Sequence, residues 1–155
     1  LPSSPAAPPD ALSPAAAGGG NEEGPHPSSP GGPAGEASSP LANLATIDVS
    51  FISLTKVLEP VSRLVTDEAD LIALVKPQFE AGPKRAPKGV VRDPQVHTQV
   101  LHTVTEAARQ EGWRARGLTD SPILGPAGNR EFLLWLAHDG QDAVTDECIE
   151  RCVAR

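Results

Sequence analysis

Three charged residues stand at the ends of predicted strands, and their types suit chemistry that moves a proton. Asp48 lies in "TIDVSF", Lys76 in "LVKPQF" and Glu131 in "GNREFLL". Open α/β sheets bind ligands beyond the carboxyl ends of their parallel strands, where Asp48 and Lys76 fall. Their separation in sequence suits one strand–helix–strand unit. A final strand that runs in the opposite direction begins at that same edge, so it would bring Glu131 to the same rim.

A lysine and two carboxylates at one rim could form a site into which the lysine directs its positive charge. Charged residues are also common at strand ends, because these ends meet water. The three positions taken alone therefore leave two interpretations open, a reactive site and a solvated rim.

Hydrophobic periodicity predicts the elements that would position these residues. The apolar, β-branched run "LATIDVSFISL" predicts a strand buried on both faces, and "LIALV" predicts a second. Between them, apolar residues recur at helical spacing over residues 54–65. Asp93 and Pro94 predict the start of another helix, which Gly112 ends. The segments "WRARGLTDSPI" and "REFLLWLAH" predict two more strands, joined by the turn-rich "LGPAGN".

The order strand, helix, strand, helix, strand, strand predicts an α/β fold with a mostly parallel sheet. The last strand follows a short turn, so it is predicted to run antiparallel to its predecessor. Four strands and two helices make half of a doubly wound sheet. Residues 41–138 are therefore expected to form a partial domain, followed by a polar C-terminal tail over residues 139–155. The two tryptophans, Trp113 and Trp135, are expected to pack in the core.

Composition sets the tract of residues 1–40 apart from the rest of the 155-residue chain. The tract is almost entirely Pro, Ala, Gly and Ser and is predicted to be disordered, because it cannot bury enough apolar surface. The chain has no Met, so a fragment or a processed product is expected. Its formal charge of −7 argues against binding a polyanion by net charge alone but leaves room for a local basic patch.

Membrane, disulfide and metal classes find no support in the sequence. No apolar stretch approaches the roughly 20 residues that span a bilayer, and no secretory signal is visible, so a cytoplasmic protein without a membrane partner is expected. The two cysteines, Cys148 and Cys152, make no disulfide framework. No further Cys or nearby His completes a metal set with them, and no metal site is predicted.

Four motifs, "IDVSFISL", "ALVKPQFE", "GVVRDP" and "SPILGPAGNREFLL", resemble the C-terminal half of the FtsJ-type RNA methyltransferases in order and spacing. The resemblance is to the branch called TlyA or hemolysin A, which methylates ribose 2′-hydroxyls of ribosomal RNA, and covers about residues 44–138. It implies that residues 41–138 are the C-terminal half of a Rossmann-like methyltransferase sheet. It also implies S-adenosylmethionine as cofactor and ribosomal RNA or a ribosomal subunit as partner.

The resemblance also implies roles for the three charged residues. Asp48, Lys76 and Glu131 match three members of the family's Lys-Asp-Lys-Glu catalytic set. The first lysine and the glycine-rich cofactor loop match no motif upstream of Asp48, so no cofactor-binding residue is assigned. The chain is therefore expected to be a C-terminal fragment and a poor catalyst on its own. The alternative is a non-catalytic RNA-binding or interaction module with a disordered Pro-rich arm.

The loop "AGPKRAPKGVVR" supplies a local basic patch beside the predicted site. Its cations are Lys84, Arg85, Lys88 and Arg92. Next to a nucleic-acid site they are expected to contact RNA phosphates, and the alternative is a solvated basic loop. Phe79, in "KPQFE", could stack on a base or belong to the core.

Overall fold

The computed structural model describes residues 41–155, and the tract over residues 1–40 lies outside the described part. The strands are β1 Ala42–Ile47, β2 Val65–Val75, β3 Arg114–Asp120 and β4 Phe132–Ala137. The α-helices are α1 Leu58–Ser62, α2 Pro77–Glu80, α3 Pro94–Gln110 and α4 Asp146–Val153. Short 3-10 turns cover Leu54–Lys56, Pro87–Gly89 and Pro126–Gly128.

The strands form one sheet in the order β1-β2-β4-β3. β1 is parallel to β2, with Ile47 beside Ala73, whereas β4 is antiparallel to both β2 and β3. The predicted α/β class and the antiparallel last strand are confirmed. The structure also places β4 between β2 and β3, which the sequence analysis did not predict. The short turn between β3 and β4 indicates that these two strands are neighbours, but it does not indicate which strand lies on the other side of β4.

β1 differs from its prediction, since it is not buried on both faces. Its first three residues are exposed, and the third of them, Leu44, is 56% exposed. Within residues 41–155, β1 pairs only with β2, so its other edge carries no partner strand. Apolar side chains of β1 are therefore left exposed, because the described residues do not cover them.

The connection from β1 to β2 contains a shorter helix than the periodicity predicts. Helix α1 ends at Ser62, and β2 starts at Val65 and runs through the charged segment "TDEAD" before it reaches the predicted strand "LIALV". The charged residues fit the strand because Asp67, Glu68 and Asp70 are exposed while Val65, Ala69 and Leu71 are buried.

Helix α3 covers one face of the sheet and forms the centre of the core. It starts where the sequence predicts, because the Asp93 side chain accepts a hydrogen bond from the Gln95 N–H at 2.9 Å. Val100, Leu101, Val104 and Ala108 on its inner face join one buried cluster with Leu71 and Ala73 of β2 and with Phe132, Leu134 and Leu136 of β4. The helix ends before Gly112, whose φ of +86° is the left-handed conformation that glycine adopts readily.

The two tryptophans lie in different environments. Trp113 is fully buried, and its Nε1 donates a hydrogen bond to Ser62 Oγ at 2.9 Å, as expected for a core residue. The core prediction is wrong for Trp135, which is 40% exposed. Successive side chains of a strand point to opposite faces, so the burial of Leu134 and Leu136 directs Trp135 outward, where it donates to Asp70 Oδ1.

The segment predicted as a polar tail contains a packed helix. In α4 the apolar positions Ile149, Cys152 and Val153 recur at helical spacing and join the buried cluster. Arg130 reaches the end of this helix, with donor distances of 2.7 Å to the Val153 carbonyl and 3.2 Å to the Cys152 carbonyl. Helix α4 is therefore attached to the residue that precedes Glu131.

Among residues 41–155, no helix has the length and apolar character that crossing a membrane requires. The same residues contain no cluster of three or more His, Cys, Asp or Glu side chains suited to a metal ion.

Candidate functional site

Lys76 and Asp48 meet at the carboxyl ends of β2 and β1. Lys76 has extended backbone angles, as a residue before proline prefers, and Pro77 then begins α2. Lys76 Nζ lies 2.5 Å from Asp48 Oδ1. The Lys76 side chain is only 13% exposed, whereas the Asp48 side chain is 67% exposed. A solvated strand end would leave the lysine in water, so the structure favours a lysine that is directed and shielded.

Glu131 stands one residue before β4 and is buried, with 6% exposure. Gln78 Nε2, on α2, donates a hydrogen bond to Glu131 Oε1 at 3.0 Å. The opposite atom of the same amide, Gln78 Oε1, is buried without a hydrogen-bond partner among the described residues. Gly125 passes so close that a Cβ built there would lie 2.2 Å from Glu131 Oε1. The carboxylate therefore has one hydrogen-bonded position and little space for another.

A cavity of about 390 Å³ unites these residues. Lys76, Gln78 and Glu131 line it together with the aromatic residues Phe51 and Phe79. Asp48 joins through its ion pair with Lys76. The three charged residues predicted from the sequence thus come together at one edge of the sheet. A more open groove of about 720 Å³ lies on α3 and contains none of the predicted site residues.

The aromatic pair includes a residue that the sequence analysis did not single out. The rings of Phe51 and Phe79 have centroids 4.8 Å apart and are tilted by 48°. Phe51 is 90% exposed, which is unusual for a phenylalanine, while Phe79 is half-buried. The available signal was its position just after a strand end, in the same motif as Asp48.

Backbone strain is concentrated at this cavity. Within residues 41–155, three non-glycine residues have positive φ: Phe51 at +63°, Lys88 at +57° and Ala127 at +56°. All three line the cavity. A left-handed conformation is costly for a residue with a Cβ, and such strain persists where the surroundings impose it, often at functional sites.

Glu80 fixes the segment that carries Phe51. Its carboxylate accepts hydrogen bonds from Ser53 Oγ at 2.6 Å and from the Leu54 N–H at 2.8 Å. Because Glu80 ends α2, these bonds connect the loop after β1 to the helix that carries Gln78 and Phe79.

The four cations of the basic loop are all exposed, but they do not converge on one point. Lys88 lines the cavity. Arg85 and Arg92 line a separate depression of about 280 Å³, and Arg85 donates a hydrogen bond to Gln99 Oε1. Lys84 lies on the outer side with Arg85. Only Lys88 of the predicted RNA contacts therefore belongs to the cavity.

Two groups outside the cavity have shifted pKa values. Burial is the largest cause that lowers the pKa of His97, whose Nε2 lies 3.3 Å from the Val91 carbonyl oxygen and whose Nδ1 has no partner among the described residues. Burial likewise raises the pKa of the Cys152 thiol. In both cases burial in the core disfavours the charged form of the side chain.

Comparisons with known proteins identify the family of the chain. The family described as FtsJ-like methyltransferase matches residues 24–138. The 16S/23S rRNA (cytidine-2′-O)-methyltransferase TlyA of Mycobacterium tuberculosis is 39% identical over 121 residues, covering 77% of this chain and 45% of TlyA. Hemolysin A of Brachyspira hyodysenteriae is 34% identical over 94 residues, covering 60% of this chain and 39% of that protein.

Solved structures give the same result. A protein designated a candidate hemolysin from Streptococcus thermophilus superposes with a TM-score of 0.71 at 41% identity, covering 77% of this chain and 44% of that one. Another from Lactococcus lactis has a TM-score of 0.67 at 40% identity, covering 73% and 56%. The chain thus spans less than half the length of the curated relatives named above. By sequence and by fold, the chain belongs to the FtsJ-like methyltransferases, as a homologue of the TlyA and hemolysin A proteins.

Proposed function

We propose that the chain carries out part of an S-adenosylmethionine-dependent methylation of ribosomal RNA at a ribose 2′-hydroxyl, as TlyA does. In this proposal it contributes the C-terminal half of a Rossmann-like methyltransferase sheet. The observation that carries the proposal is the shielded Lys76, paired with Asp48 beside a cavity that Glu131 also lines. With ribosomal RNA as the proposed substrate, the proposed location of the protein is the cytoplasm.

The residues proposed to be catalytic are Lys76, Asp48 and Glu131. The ion pair between Lys76 Nζ and Asp48 Oδ1, 2.5 Å apart, fixes the direction of the Lys76 side chain. Held in this way, the Lys76 ammonium group orients the ribose hydroxyl for an in-line displacement, or, after giving up its own proton, accepts the hydroxyl proton. Glu131 accepts a hydrogen bond from Gln78 at 3.0 Å and places a carboxylate in the wall of the cavity. Preorganised charges of this kind act where solvent is excluded, which the low exposure of Lys76 and Glu131 provides.

The described residues fit the cofactor in part. S-adenosylmethionine supplies, when bound, an electrophilic methyl group on a positively charged sulfur. The Glu131 carboxylate lies at the cavity and would attract a cation, whereas Asp48 is already paired with Lys76. The glycine-rich loop of the family matches no segment of residues 41–155, so no contact to the adenosine is assigned. For this reason we propose that methyl transfer by this chain alone is weak.

The RNA is proposed to approach over the basic loop and the aromatic pair. Lys84, Arg85, Lys88 and Arg92 are exposed and suit phosphate contacts, which position an RNA without reading its sequence. Phe51 presents an almost fully exposed ring next to Phe79 at the cavity. Unpaired RNA bases stack on such rings, so the pair suits the target nucleotide.

The test measures RNA binding, S-adenosylmethionine binding and methyl transfer with the full chain. A 23S ribosomal RNA transcript and labelled S-adenosylmethionine are supplied to the unsubstituted chain, to Lys76→Ala and to Lys56→Ala, an exposed lysine outside the cavity. We expect RNA binding by all three, and weak transfer that Lys76→Ala abolishes and Lys56→Ala preserves. RNA binding without cofactor binding or transfer would favour the non-catalytic RNA-binding module. A chain that binds neither the RNA nor S-adenosylmethionine would overturn the proposal.

A further inference from the structure

Asn129 connects two loops of the cavity through its side chain. It is buried, with 2% exposure, in the turn before β4. Its Oδ1 accepts a hydrogen bond from the Val91 N–H at 3.0 Å. Its Nδ2 donates to the carbonyls of Gly89 at 2.9 Å and Pro126 at 2.8 Å. Both amide protons and the oxygen are used, so one side chain joins the basic loop to the turn before Glu131.

The two carbonyls that Asn129 binds flank strained residues. Gly89 directly follows Lys88, and Pro126 directly precedes Ala127; both Lys88 and Ala127 have left-handed backbones. Each turn also has its own backbone hydrogen bonds, such as Gly89 N–H to the Ala86 carbonyl at 2.9 Å. Those bonds are local, and they do not connect one loop to the other. Asn129 supplies that connection, and strained conformations need such external support.

The segment that carries Lys88 is anchored in the core only at its two ends. Ala86 and Val91 are buried and anchor the two ends of the segment, whereas the residues between them are exposed or half-buried. Lys88 is the member of the basic patch that lines the cavity, and Asn129 lines it as well. Without the Asn129 amide, nothing else among these contacts holds the middle of the loop against the cavity wall.

We propose that Asn129 is a positioning residue that holds Lys88 at the cavity, where its ammonium group contacts an RNA phosphate. The inference rests on the proposed function for the identity of the ligand. It assigns Asn129 no contact with the RNA and no part in the chemistry. Two readouts, one independent of RNA and one dependent on it, test the two halves of the proposal.

The first readout is limited proteolysis of the full chain by trypsin, with cleavage after Lys88 quantified by mass spectrometry. In Asn129→Ala the loop is expected to open more often, so cleavage at Lys88 rises about tenfold while cleavage at Arg109, within α3, does not change. Asn129→Ser, which retains one hydrogen-bonding group, should give an intermediate rate. Thermal unfolding of each variant establishes that the fold is retained. Unchanged cleavage at Lys88 in both variants would overturn the proposal.

The second readout is the salt dependence of binding to a 23S ribosomal RNA transcript. Losing one phosphate contact should weaken binding about two- to fivefold and reduce the slope of log K against log salt by about 0.7–0.9. Asn129→Ala should reproduce the effect of Lys88→Ala, and the double variant should lose no more than either single variant. Lys84→Ala is the matched control, because Lys84 lies outside the cavity and its effect should add to that of Asn129→Ala.

The outcomes separate the inference from the proposed function. Additive losses for Asn129→Ala and Lys88→Ala, or an unchanged salt slope in Asn129→Ala, would overturn the positioning role while leaving RNA binding intact. If the unsubstituted chain binds no RNA, the proposed function and the phosphate contact of Lys88 both fail. Cleavage at Lys88 would still decide whether Asn129 holds the loop.

Discussion

Substituting Gly125 by alanine should test how tightly the structure fixes Glu131. The added Cβ would lie 2.2 Å from Glu131 Oε1 and 2.6 Å from its Cδ, well inside contact distance. Gly125 has φ of −74°, so alanine brings no backbone strain of its own. The carboxylate must move by about 1 Å, which overpacks the turn and breaks the bond from Gln78. Overpacking costs about 1–3 kcal/mol, and a buried donor left unpaired costs a similar amount.

The expected result is a decrease of about 2–4 kcal/mol in the free energy of unfolding. The assay is urea denaturation of the full chain, followed by the fluorescence of Trp113 and Trp135. Gly125→Ala is measured with Glu131 intact and in a Glu131→Ala background. Truncating Glu131 removes the atoms that clash, so the cost of Gly125→Ala should fall to nearly zero there.

Gly128→Ala is the matched control for this cycle. Gly128 has φ of +77° and no atom within 4 Å of an added Cβ, so its cost is backbone strain alone and should be the same in both backgrounds. An equal cost of Gly125→Ala with and without the Glu131 side chain would refute the reasoning, since the close approach would then not be what fixes the carboxylate.

Three further predictions follow from the site, the core and the sheet edge. Lys76→Met should change the free energy of unfolding by less than about 1 kcal/mol, because its partner Asp48 is well exposed, yet abolish methyl transfer; a large loss of stability in denaturation would contradict this. His97 has a lowered pKa in the folded chain, so unfolding takes up a proton, and stability should fall as pH drops below about 6.5; His97→Gln should remove that part of the pH dependence, measured by urea titrations at pH 5 and 7. Because β1 has no second partner strand among residues 41–155, we expect the chain to self-associate through this edge; Leu44→Lys should reduce that association in analytical ultracentrifugation, and equal association of both proteins would exclude this edge as its cause.

Features set by neighbouring residues could be predicted from the sequence. The start of α3 is one example, because Asp93 satisfies an N–H only two residues away. The meeting of Asp48 and Lys76 was also predictable, since parallel strands joined by one helix end at the same edge of a sheet. Both predictions needed only local patterns and one topological rule.

Features set by distant residues could not be predicted in this way. The left-handed backbone of Phe51 lies in a loop that Glu80 holds from α2, 26 or 27 residues along the chain from its partners. Trp135 looks like a core residue until the face that β4 presents to α3 is known. The segment of α4 was predicted to be a polar tail because half of its residues are charged. Only three of its residues are buried, and the surface that buries them comes from distant parts of the chain.

The attachment of α4 to Arg130 has a consequence for synthesis of the protein on the ribosome. Arg130 binds carbonyls of the last turn of α4, and the next residue is Glu131. Chains emerge from the ribosome amino terminus first, so β4 leaves the exit tunnel before the helix that anchors its first residues. The support of Glu131 by Arg130 is therefore completed only when residues 146–153 have been released and folded.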